Sequence, residues 1–92
     1  MIIRILGEGQ FRLEDKHLDK LNEIDNRIAD HVNKGNRIAF QKDLDKLIAT
    51  AKDLGEPLDS LVIVRSDVVF PPNDLSFEEA KRLFSGSGII KD

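Results

Sequence analysis

The chain has 92 residues and a mass of 10.4 kDa, enough for one hydrophobic core and too little for two independent ones, so a single domain over residues 1–92 is expected. It contains no cysteine, which excludes disulfides, thiolate metal sites, thiol nucleophiles and thiol redox switching. Net charge is −3, the acidic excess lies in residues 55–92, and no segment forms the basic stripe that phosphate neutralisation requires, which argues against a nucleic-acid partner.

The first residues lack the layout of a signal peptide, and the longest apolar run, Leu61-Val62-Ile63-Val64, is far short of the roughly 20 residues that span a bilayer. Secretion and direct membrane insertion are therefore not expected. A cytoplasmic location fits the composition.

Met1 to Leu6 is nearly all apolar or β-branched, and after Gly7-Glu8-Gly9 the run Gln10-Phe11-Arg12-Leu13 alternates with period two. Two strand-like runs around a glycine-containing loop predict a β-hairpin, with Phe11 and Leu13 facing the core. Arg4 shares a face with Ile2 and Leu6, so Ile3 and Ile5 are the expected inner pair.

Over residues 15–33, Leu18, Leu21, Ile24, Ile28 and Val32 recur every three or four positions and predict a helix with one buried stripe. Gly35 suits a left-handed helix end and Asn36 a cap, so a second helix is expected over 37–54, carrying Phe40, Leu44, Leu47, Ile48, Ala51 and Leu54. Gly55 and Pro57 end it. So short a connection makes the helices an antiparallel αα-hairpin, laid on the sheet.

Leu61-Val62-Ile63-Val64 and Val68-Val69-Phe70 are both strand-like, and at least one should join the hairpin as a third strand. Pro71-Pro72 cannot donate to a ladder and must end that strand. Ser76-Phe77-Glu78-Glu79 matches a capping box and opens a short helix to about Phe84, after which Ser85-Gly86-Ser87-Gly88 stops it and Ile89-Ile90 forms a tail. The expected class is α+β: an N-terminal β-hairpin plus a third strand, packed against an antiparallel αα-hairpin, with a short C-terminal helix.

No catalytic constellation emerges from the residues. His17 and His31 are 14 positions apart, which on one helix is about 21 Å, too far to share a metal ion. Asp15, Asp19 and Glu23 form a carboxylate row, but Lys16, Lys20 and Arg27 interleave with it, and Glu23 with Arg27 is a favourable i, i+4 pair, so a solvated charged face is the economical reading. Gly7-Glu8-Gly9 fails as a dinucleotide fingerprint: Arg12 stands where the third glycine belongs, and a strand follows instead of a helix. No hydroxyl sits in a nucleophile elbow. The helices alternate charge signs where a membrane-surface helix would gather Lys and Arg on one face, and Ile38, roughly opposite the Phe40 and Leu44 stripe, is expected to be exposed. Catalytic, cofactor and metal residues are accordingly expected to be none.

The two ends carry a resemblance. Ile2-Ile3-Arg4-Ile5-Leu6-Gly7-Glu8-Gly9-Gln10-Phe11, then Gly35, Ala39-Phe40, Leu54-Gly55 and Pro57, then Ser66-Asp67-Val68-Val69-Phe70-Pro71-Pro72 and Phe77-Glu78-Glu79, resemble the PspAA family, partners of phage shock protein A, over essentially the whole chain. The resemblance implies a cytoplasmic, non-enzymatic accessory protein that acts with the helical membrane-stress protein PspA and reaches the membrane periphery through that partner. It implies no catalytic residue. The motif residues Gly7, Glu8, Gly9, Gln10, Asp67, Pro71 and Pro72 are its candidate partner-binding set, although turn and strand-end punctuation is their ordinary role. The alternative is a small ligand-binding domain or enzyme with a pocket between sheet and helical hairpin, using groups such as His17, Arg65 or Asp67. Self-association through an open sheet edge is a third expectation.

Overall fold

A computed structural model of the chain describes residues 1–59, 61, 64–84 and 89–90. The elements in chain order are β1 (Ile2–Ile5), β2 (Gly9–Arg12), a 3-10 turn (Asp15–His17), α1 (Leu18–Lys34), α2 (Arg37–Leu54), β3 (Glu56–Pro57), β4 (Val68–Phe70) and α3 (Phe77–Leu83). The chain is α+β, as expected.

The sheet has the order β3-β2-β1-β4. β1 and β2 form the antiparallel hairpin, with Ile2 opposite Arg12 and Ile5 opposite Gly9. Its turn places Gly7 at φ 88° and Gly9 at φ 108°, a region that costs other residues about 1–2 kcal/mol, and this is the physical reason for the Gly-x-Gly spacing. β4 runs parallel to β1, pairing Ile3 with Val68 and Ile5 with Phe70. A parallel neighbour needs a long crossover, and α1, α2 and the chain after them supply it.

The third strand is thus the run Val68-Val69-Phe70; the run Leu61-Val62-Ile63-Val64 includes residues outside those described. The fourth strand was not expected. Glu56 and Pro57 pair with Arg12 and Phe11, and the Leu58 N–H donates to the Gln10 carbonyl at 2.9 Å. Pro57 is tolerated because β3 lies at the sheet edge.

One face of the sheet carries the core. Ile3, Ile5, Leu13 and Phe70 are fully buried and Phe11 nearly so, against Leu21, Ile24, Ile28 and Val32 of α1 and Phe40, Leu44, Leu47, Ile48 and Ala51 of α2. The space between sheet and αα-hairpin, where the alternative reading placed a pocket, is filled by these side chains. Phe40 also meets Phe77 and Phe84 edge-to-face at 5.6 and 6.3 Å between ring centres, which seats α3 against α2.

The helix joint follows its caps. Gly35 adopts the left-handed conformation at φ 73°, and the Asn36 side chain accepts the Ala39 N–H at 3.1 Å. The start of α1 differs from expectation: residues 15–17 form a 3-10 turn, the helix begins at Leu18, and His17 is its N-cap residue with no side-chain capping bond. Ile38 is 74% exposed, as its position predicts.

Candidate binding surface

The seven motif residues fall into three places. Gly7 and Glu8 form the hairpin tip, and Pro71 and Pro72 leave β4 beside it, because the parallel register carries both strands to the same end and the Leu6 N–H donates to the Phe70 carbonyl at 3.1 Å. These four residues come together. Gly9 opens β2 opposite Ile5.

Asp67 lies at the other end of β4, roughly 13 Å from Pro71 at the rise of an extended chain. Its carboxylate accepts the Ile2 N–H at 2.7 Å while its own N–H donates to the Ile2 carbonyl at 2.7 Å, a two-point clamp that starts the parallel pairing. Gln10 faces the outer side of the sheet, and its amide donates to the Val64 carbonyl and the Ser66 hydroxyl, each at 2.8 Å. Gln10 and Asp67 therefore fix the chain that leads into β4. The sequence motif is part frame and part surface.

The surface part is held from behind by α2. Lys52 donates to the Glu8 carboxylate, fixing the hairpin tip, and the Gln41 amide donates to the Asn73 carbonyl at 2.9 Å and to the Asp45 carboxylate at 3.0 Å, fixing the loop after the prolines. Between tip and loop lies a hollow of about 400 Å³ lined by Leu6, Gly7, Glu8, Lys52, Pro72, Asn73 and Asp74. It continues past Leu6, Pro72 and Asp74 into a groove of about 530 Å³, lined also by Val69, Pro71, Leu75, Glu79 and Leu83.

Pro71 is buried and supports the groove, while Pro72 is half-buried at its edge. Sequence reasoning missed Leu6, Val69, Asp74, Leu75, Glu79 and Leu83 as surface-forming residues. The readable signal was that Leu6 and Val69 lie on the outward face of strands whose inner face is already complete.

His31 belongs to a different cluster. Its Nε2 stands 2.8 Å from the Asp43 carboxylate, and Arg27 donates to the same carboxylate from 3.3 Å, which ties α1 to α2 along one flank. Burial pushes the Asp43 carboxyl up, but the hydrogen bonds and charges of Arg27 and His31 outweigh it and hold the group below its ordinary value. Glu23 pairs with Arg27 at 3.6 Å, as the spacing predicts. Among the described residues no group of three or more His, Asp or Glu side chains is placed to hold a metal ion, and no helix is long and apolar enough to cross a membrane.

Neither a curated protein nor a solved structure is found to match the chain. The model of one family, described as PspAA, PspA-Associated protein, matches residues 1–92, the whole chain. The chain belongs to the PspAA family.

Proposed function

We propose that the chain is a non-enzymatic interaction module that binds a PspA-like protein and modulates its response to membrane stress. Membership of a family described by its association with PspA, over residues 1–92, carries the reading. A groove with apolar walls, continuous with a hollow whose sides are fixed from α2, is the kind of preformed surface such a role calls for. Action from the cytoplasm, at the membrane periphery through the partner, is part of the same proposal.

Purified chain titrated against the purified PspA-like protein of the same cells tests it. Saturable binding at micromolar or lower concentration is expected, together with co-purification from stressed cells. No binding in either experiment overturns the reading.

A further inference from the structure

Leu6 follows β1, Val69 is the middle residue of β4 and Leu83 ends α3, yet all three line the same groove. They are 46%, 48% and 45% exposed. Single exposed apolar residues are ordinary, but convergence of three from distant sequence positions on one concavity marks an interaction site.

The charges lining the groove have one sign. Among the described residues Asp74 and Glu79 are its ionisable side chains, and neither Lys nor Arg lines it. The Ser76 hydroxyl donates to Glu79 Oε1 at 3.0 Å, which fixes that carboxylate at the groove wall.

Resting on the reading that a PspA-like protein is the partner, we propose that this groove is the docking surface and that it takes an apolar segment of that protein flanked by Lys or Arg. The apolar residues pack against Leu6, Val69 and Leu83, and the flanking cations face Asp74 and Glu79. Because Glu8–Lys52 and Gln41–Asn73 already fix both sides of the adjoining hollow, little ordering accompanies binding.

Calorimetric titration of the PspA-like protein with the full chain and its variants tests this. Val69→Lys and Leu83→Lys, at half-exposed positions that tolerate a long polar side chain, should each weaken binding at least tenfold. Asp74→Asn should weaken it several-fold and flatten its dependence on salt, whereas Ile38→Lys, at an exposed apolar residue outside the groove, should bind as wild type. Circular dichroism checks that each variant is folded, and Leu83→Ser replaces any that is not.

Wild-type affinity in folded Val69→Lys and Leu83→Lys overturns the groove assignment and leaves the partner reading standing. Absence of binding by the wild type overturns both. Self-association of the wild type in light scattering that these substitutions abolish, without loss of partner binding, gives the groove to a second copy and likewise overturns the proposal.

Discussion

The Asp25 carboxylate accepts the backbone N–H of Ile90 at 2.7 Å, across 65 positions of sequence, and that of Ile89 at 3.1 Å. Asp25 is fully buried on α1 and Ile90 is buried beside it, so the C-terminal tail docks through a carboxylate inside the core. A buried carboxylate is tolerated only where donors surround it, and charge-assisted bonds to main-chain amides are strong ones. Asp25→Ala leaves these amides without that acceptor and should lower stability by about 2 kcal/mol, with a smaller loss for Asp25→Asn. Urea denaturation checks this; an unchanged midpoint for Asp25→Ala would show that the latch contributes nothing.

Gly55 is favoured for a reason different from the one its position after α2 suggests. Its φ of −92° is open to any residue, but an added Cβ would meet the Ala51 carbonyl oxygen at 2.7 Å and Phe11 Cβ at 3.1 Å. Close approach of the helix end to β2 requires the glycine, and the same approach lets Glu56 and Pro57 pair with that strand. Gly55→Ala should destabilise by about 2 kcal/mol through overpacking. At Gly7 an added Cβ meets nothing within 4 Å, so Gly7→Ala should cost about 1 kcal/mol of backbone strain alone. Comparing the two denaturation midpoints checks the order; equal losses would refute the packing argument.

Most of what the sequence made legible is local. The apolar spacing of Leu21, Ile24 and Ile28, the Asn36 and Ser76 caps and the left-handed Gly35 each act within a turn or two of chain, and each stands where the pattern puts it. β3 was illegible because Glu56-Pro57 has no strand propensity of its own and pairs only because β2 offers it an edge. Asp67 reads as punctuation until Ile2, 65 positions away, is set against it. The groove is likewise a product of topology, since Leu6, Val69 and Leu83 share no period. Asp25 did leave a trace: it lies four residues after Leu21 and four before Ala29, on the buried stripe of α1.

Ser76 caps α3 by accepting the Glu79 N–H at 3.1 Å, but the return bond of the box is made by its own hydroxyl, which donates to the Glu79 carboxylate. One side chain therefore both starts the helix and positions a groove carboxylate. Ser76→Ala should cost about 1 kcal/mol, the usual worth of such a cap. Thermal unfolding checks it. A melting temperature equal to wild type would mean that the cap adds nothing to the packing and the Arg37–Glu78 pair that hold α3.

Asp43 gives the fold a predictable weakness in acid. Burial raises its carboxyl, yet the hydrogen bonds and charges of Arg27 and His31 prevail and hold it below the ordinary 3.8 in the folded state. A group whose folded value is depressed releases its proton more readily in the folded chain, so its stabilisation is present in full above about pH 4 and drains away as pH falls through the lower folded value. Asp43→Asn removes the charge and should destabilise by about 1 kcal/mol at pH 7. Below pH 4, where the wild-type carboxyl takes up its proton, the gap between the two proteins should narrow. Denaturation midpoints at pH 7 and pH 3 measure it, and a gap of the same size at both would show that the Arg27–Asp43–His31 cluster adds no charge-dependent stability.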